Sequence, residues 1–139
     1  MNPPYPFFVE LSNLGCGGSL VYSDLVLTAA HCVTGSHNEA TLQKQSTVYV
    51  GGIQKGQGVA RNIVDIRVHP LYDSATGAYD FAILLLDWPV SNSDIDPVAL
   101  VDADNNDSNV ADNTPLSVVG YGYTKEGGQP SDTLLEAQV

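Results

Sequence analysis

Short β-forming runs separated by turn residues are the feature that most limits how this chain can fold. Eight runs rich in β-branched, aromatic and other apolar residues are candidate strands, at residues 7–11, 18–22, 25–28, 47–50, 59–69, 80–86, 116–120 and 134–139. Residues typical of turns lie between these runs, and no window of a dozen residues repeats apolar side chains every 3.6 positions. The pattern therefore predicts an all-β fold.

The distribution of the runs along the chain indicates how the strands are grouped. Six of them precede residue 90, which is enough to close one small barrel. Residues 59–69 mix apolar and charged positions and predict a strand with one wet face, whereas residues 81–86 are apolar throughout and favour a strand covered on both faces. The polar stretch 91–113 has the composition of a connector. The two runs that follow it are too few to form an independent domain.

Composition and charge exclude several classes of function. With 43% hydrophobic residues among 139, the chain can bury a core, and its formal net charge of −11 disfavours binding to nucleic acid. An acidic stretch is interpreted as a solvated loop rather than a cation site; it contains Asp94, Asp96, Asp102, Asp104, Asp107 and Asp112. No apolar run is long enough for a membrane span, and residues 1–6 lack the features of a signal peptide. We therefore expect either a leader that has been removed or a fragment.

The two cysteines, Cys16 and Cys32, favour a disulfide. Their spacing shows neither a Cys-x-x-Cys motif nor a zinc-binding arrangement with histidine. A disulfide closing a loop of this size stabilises a fold by about 3 kcal/mol in the chain-entropy model and indicates an oxidising compartment. Two free thiols in the core of a cytosolic protein are the alternative.

Two motifs carry the chemistry. The first runs from Gly15 to Cys32 as Gly-Cys-Gly-Gly-Ser-Leu-Val-Tyr-Ser-Asp-Leu-Val-Leu-Thr-Ala-Ala-His-Cys, and the second is Tyr79-Asp-Phe-Ala-Ile-Leu-Leu-Leu. Together they resemble the trypsin-like serine proteases. Pro6-Phe-Phe-Val-Glu-Leu, His69-Pro-Leu-Tyr and Gly120-Tyr-Gly match further segments of the same family, so the resemblance covers nearly the whole chain. Tyr121 stands where the family has Trp, which keeps an aromatic anchor.

The resemblance implies a chymotrypsin-like double barrel. Residues 1–112 then correspond to the first six-stranded antiparallel barrel with its connector, and residues 113–139 to the incomplete start of the second. It also implies a serine-type endopeptidase acting on protein or peptide substrates, with His31 as general base and Asp80 as the carboxylate that orients it. The Cys16–Cys32 pair would staple the two strands that lead to His31. His37 and His69 are interpreted as structural.

The nucleophile is expected outside this chain. The family order is His, Asp, Ser, with the serine in a Gly-Asp-Ser-Gly-Gly setting. None of the serines that follow Asp80 is followed by Gly-Gly; they are Ser91, Ser93, Ser108, Ser117 and Ser131. The family's Ile/Val-Val-Gly-Gly start is also absent. We therefore expect a fragment that is inactive by itself, and a non-catalytic protease homologue that binds or inhibits another protein is the alternative.

The resemblance also sets expectations for ligands and location. Many family members bind calcium through paired Glu side chains in the loop after the fourth strand, but residues 51–58 contain one Lys and no carboxylate, so we expect no calcium there. No other metal and no organic cofactor is expected. Asn106 begins an Asn-Asp-Ser sequon and is a candidate glycosylation site, in keeping with a secreted or extracellular protein.

Overall fold

Six strands pair in a closed antiparallel barrel in the computed structural model, which describes residues 5–12, 14–34, 46–91, 93–101 and 112–139. The strands are β1 (Phe8–Leu11), β2 (Cys16–Tyr22), β3 (Leu25–Thr28), β4 (Thr47–Gly51), β5 (Gly58–Val68) and β6 (Ala82–Leu86). Around the barrel they follow the order β1-β2-β3-β6-β5-β4. The prediction of an all-β fold with a six-stranded barrel is confirmed.

Strand boundaries differ from the predicted ones mainly at the two ends that matter for the site. β2 begins at Cys16, two residues before the predicted start at Gly18, because Cys16 pairs with Leu11 of β1. β6 begins at Ala82 rather than at Asp80, because Tyr79 has a left-handed φ of 53° and interrupts the extended backbone. A four-residue helix, α1 (Ala30–Val33), was not predicted, since one turn is too short to produce a helical period.

An irregularity in β5 lets its apolar residues face the same interior. The pairing with β6 shifts register between Ile63 and Asp65, which is where a β-bulge places an extra residue. Ile63 precedes this shift and is fully buried, whereas the extra residue Val64 is 42% exposed. Ile66 packs against the core from the other side of the bulge, although its even number would place it on the opposite face of a regular strand.

The barrel interior holds the hydrophobic core. Its fully buried members, at 0% exposure, come from the barrel strands and from α1; they are Val9, Leu20, Val26, Ala30, Val33, Val50, Ile63 and Leu84. In β6 the buried residues Ala82, Leu84 and Leu86 alternate with the half-buried Ile83 and Leu85. The sequence predicted a strand covered on both faces; the structure buries one face fully and covers the other in part.

Gly18 shows why the chain carries a Gly-Gly pair in β2. A Cβ atom at this position would lie 2.8 Å from the carbonyl oxygen of Leu27 and 2.8 Å from a methyl carbon of Val26. Real Cβ atoms do not approach so closely, so any side chain here would push β2 and β3 apart. The glycine thus allows the tight pairing that leads into α1.

The last two strands form a separate two-stranded antiparallel sheet, β7 (Ser117–Gly120) with β8 (Leu135–Gln138). Residues 53–55 hold it against the barrel, because Leu134 N–H donates to Ile53 C=O (2.7 Å) and Lys55 N–H donates to Asp132 C=O (3.0 Å). Tyr121 packs edge-on against Phe8 of the barrel, with ring centroids 5.6 Å apart. Within the described ranges, no helix is both long and apolar enough to cross a membrane.

The packing of Leu84 predicts a large loss of stability when its side chain is truncated. Leu84 lies fully buried in β6, so Leu84→Ala should leave a cavity and lower the free energy of unfolding by about 2–5 kcal/mol. Leu71, which is 60% exposed, provides the matched control, and Leu71→Ala should change stability by less than about 0.5 kcal/mol. Urea unfolding of both variants measures the difference. Equal effects would contradict this account of the core.

Candidate functional site

His31 is held at the end of β3 by a covalent and a packing constraint. It is the second residue of α1, between Ala30, which is fully buried, and Cys32. Cys32 is bonded to Cys16 with a Cα–Cα distance of 6.2 Å, so the predicted disulfide is confirmed. The backbone on both sides of His31 is therefore fixed, while the imidazole remains 62% exposed.

The register between β3 and β6 brings Asp80 to the same end of the barrel. Thr28 pairs with Ala82 in this antiparallel ladder. Because antiparallel strands run in opposite directions, the residues that follow Thr28 and those that precede Ala82 leave at the same rim. His31 and Asp80 are thus neighbours although they are 49 positions apart.

Asp80 receives two hydrogen bonds from His31. The backbone N–H of His31 donates to Oδ1 at 2.8 Å, and the ring nitrogen Nδ1 lies 2.7 Å from Oδ2. The carboxylate is only 30% exposed, against 62% for the imidazole. One carboxylate thus fixes both the main chain and the ring of the same histidine.

These contacts determine the charge of Asp80 and the tautomer of His31. The hydrogen bond from the His31 side chain, followed by the one from its backbone N–H, lowers the pKa of Asp80 below its usual 3.8, although desolvation acts in the opposite direction. An ionised carboxylate can only accept hydrogen bonds, so Nδ1 must carry the proton. The lone pair of a neutral His31 is then on Nε2, which lies 3.6 Å from Cys32 Sγ.

An imidazole in this state can accept a proton at Nε2 while the neighbouring carboxylate stabilises the resulting cation. This is what a general base requires when it activates a hydroxyl nucleophile. Placement also matters, because such a base must be positioned to within about 0.5 Å.

One group of potential metal ligands is found in the described part of the chain. The group of potential ligands found there consists of Cys16, His31 and Cys32. Both sulfurs are in the disulfide and offer no thiolate. The loop at 51–58, where many relatives of this fold bind calcium, contains a cation of its own. Lys55 Nζ lies 3.6 Å from Asp132 and 5.7 Å from the centre of the Tyr121 ring.

His69, which the sequence analysis interpreted as structural, lies next to the segment that carries Asp80. Its ring stacks on Tyr79 and contacts Phe81, the two residues that flank Asp80, with centroids 4.8 and 4.6 Å apart. In the sequence, this contact was indicated only by the two aromatic residues on either side of Asp80. His37 and Asn106 lie outside the described residues, as do Asp102, Asp104 and Asp107 of the acidic stretch.

The closed antiparallel barrel, with a hydrogen-bonded His–Asp pair at its rim and a disulfide beside the histidine, defines a protein of the chymotrypsin-like class. The family model for trypsin matches residues 2–139. The chain therefore belongs to the trypsin family.

Individual relatives agree with this assignment. The chain is 35% identical to a trypsin of Saccharopolyspora erythraea over 140 aligned positions, which cover 97% of this chain and 58% of the relative. It is 34% identical to trypsin 5G1 of Aedes aegypti, with 96% of this chain and 49% of the relative covered. For the alkaline trypsin B of Manduca sexta the identity is 32%, with 89% and 46% covered. The chain thus spans about half the length of these relatives.

The low pKa of Asp80 predicts how the pair responds to acid. Because the pKa is depressed in the folded chain, the stability that the pair contributes is present above the ordinary value of 3.8 and is lost as pH falls through the lower folded value. An NMR titration of the Asp80 carboxyl carbon should give a midpoint below 3.8, and His31→Ala should move it upwards. A midpoint at or above 3.8 in the unaltered chain would contradict this geometry.

The disulfide predicts a second measurable effect. Replacing both cysteines, Cys16→Ala with Cys32→Ala, should lower the free energy of unfolding by about 2–4 kcal/mol, because the unfolded chain gains loop entropy. Urea unfolding in the absence of reductant measures this loss. The unaltered chain treated with a thiol reductant is the control and should approach the stability of the double variant. A double variant as stable as the oxidised chain would show that the bond contributes nothing.

Proposed function

We propose that this chain provides the general-base half of a serine endopeptidase. The observation that carries the proposal is the pair of hydrogen bonds from His31 to Asp80, at 2.8 and 2.7 Å, in a chain of the trypsin family. The imidazole of His31 is 62% exposed, and its Nε2 is not the nitrogen that contacts Asp80, so this ring is suited to proton transfer.

In the proposed reaction His31 Nε2 takes the proton of a serine hydroxyl as the serine oxygen attacks the carbonyl carbon of a peptide bond. The C–N bond then breaks, and His31 returns the proton to the leaving amine. Water repeats the sequence on the acyl-enzyme: His31 takes its proton and gives it back to the serine oxygen. Asp80 remains ionised throughout, holding the Nδ1 tautomer and stabilising the imidazolium.

The serine nucleophile belongs, in this proposal, outside residues 1–139. The serines that follow Asp80 lack the Gly-Asp-Ser-Gly-Gly setting. Residues 1–112 then act as the first barrel with its connector, and residues 113–139 as the start of a second barrel. The separate β7–β8 sheet supports this division. It is linked to the first barrel through Asp132 and Leu134, which precede β8 and bond to residues 53–55.

Substrates of the complete enzyme are proposed to be proteins or peptides, in keeping with the trypsins that the chain resembles. The Cys16–Cys32 disulfide supports a secreted or extracellular location, because such bonds persist in oxidising compartments. No metal or organic cofactor enters the proposed mechanism, since proton transfer and acyl transfer use side chains alone.

We expect residues 1–139 by themselves to have no peptidase activity. Residues 1–139 should show no hydrolysis of peptide esters or amides that depends on His31, because loss of the serine from such a triad costs on the order of a millionfold in turnover. His31→Ala is the matched control for contaminating activity. Turnover that disappears in this control would mean that a serine within the chain is the nucleophile.

A second experiment complements this assay. The coding sequence is determined beyond Val139, and the extended chain is expressed. We expect a Gly-Asp-Ser-Gly-Gly segment and peptidase activity, with Asp80→Asn lowering kcat by about 10⁴-fold through the wrong His31 tautomer. Another residue at the serine position would favour a non-catalytic protease homologue and overturn the proposal.

A further inference from the structure

The backbone at Asp80 has an unusual shape that needs support from outside. Tyr79 is in the left-handed region with φ of 53°, and Phe81 N–H donates to Tyr79 C=O at 2.8 Å across Asp80. This short turn directs the carboxylate towards His31. A non-glycine residue in the left-handed region is strained and persists only where its surroundings enforce it.

The side chains next to Asp80 give little support through burial. Tyr79 is 52% exposed and Phe81 is 44% exposed. Both rings nevertheless meet one common partner, the half-buried imidazole of His69. Tyr79 lies parallel to it, with an interplanar angle of 7° and centroids 4.8 Å apart, whereas Phe81 is tilted by 58° at 4.6 Å.

His69 is itself anchored at the end of β5. Its backbone N–H donates to Phe81 C=O at 3.1 Å, which continues the β5–β6 pairing by one more bond. Its Nδ1 accepts a hydrogen bond from Leu71 N–H at 3.1 Å, and the contacts with Tyr79 and Phe81 limit the orientation of the ring as well. The imidazole is therefore a rigid surface against which the residues before and after Asp80 can be placed.

We propose that His69 is a positioning residue for Asp80. By contacting Tyr79 and Phe81 together, it maintains the turn that directs the carboxylate at both donors of His31. The planar ring is the essential feature, because it stacks face to face on Tyr79 and still meets Phe81. The inference rests on the proposed role of the His31–Asp80 pair, and it adds a residue that acts through Asp80.

The test compares two substitutions of similar size. His69→Phe keeps a planar ring and loses the hydrogen bond from Leu71, whereas His69→Leu fills the space without a ring that can stack. Two NMR signals of residues 1–139 report the result: the low-field signal of the His31 Nδ1 proton, and the pKa of Asp80 from its carboxyl carbon. Thermal unfolding of each variant verifies that the barrel remains folded.

We expect His69→Leu to weaken the low-field signal and to raise the pKa of Asp80 towards 3.8, while His69→Phe leaves both close to those of the unaltered chain. If His69→Leu does not fold, Tyr79→Leu removes the stacked ring from the other side and should produce the same two changes. The inference is wrong if the folded leucine variant matches the unaltered chain, or if the two His69 variants change the signals equally.

Asp80→Asn distinguishes this inference from the proposed function. It removes the charged acceptor and should abolish the low-field signal whatever the role of His69. If Asp80→Asn removes the signal and His69→Leu does not, the His31–Asp80 pair stands and the positioning role fails. If Asp80→Asn leaves the signal unchanged, the hydrogen-bonded pair that carries the proposed function is itself wrong.

Discussion

The pairing of β3 with β6 is the contact on which the rest of this molecule depends. It joins a hairpin near the start of the chain to a strand more than fifty residues later and closes the barrel between them. The same register sets Thr28 opposite Ala82, which brings the segments carrying His31 and Asp80 to one rim. The strand pairing that closes the barrel around the core therefore also brings His31 and Asp80 together.

The sequence was informative where the chain obeys simple rules. Alternating and apolar runs separated by turns predicted every barrel strand to within two residues, because strand pairing follows side-chain period and turn chemistry. The motif around Cys16 and Cys32 predicted the disulfide, and its resemblance to a known family indicated His31 and Asp80. In each case the deciding signal lay within a short stretch of the chain.

What the sequence could not provide depends on contacts between distant segments. The bulge at Val64 becomes visible only once β6 lies beside β5 and the register is compared. The left-handed Tyr79 is another case, since nothing in Tyr-Asp-Phe requires a positive φ. The ring contacts of His69 are a third case, because its two partners lie ten or more positions away and on either side of Asp80. Local patterns predict elements, whereas the shape of a site comes from how elements meet.

The bidentate contact of Asp80 with His31 has a thermodynamic consequence. The backbone N–H and the ring Nδ1 of one residue both end on a single carboxylate, and a disulfide fixes the next residue in the chain. The His31 side chain therefore loses, when the barrel folds, the conformational entropy that an unrestrained surface histidine keeps. In the proposed function, a reacting group that arrives at Nε2 meets an imidazole whose ordering has been completed beforehand, so that binding free energy is not spent on organising it.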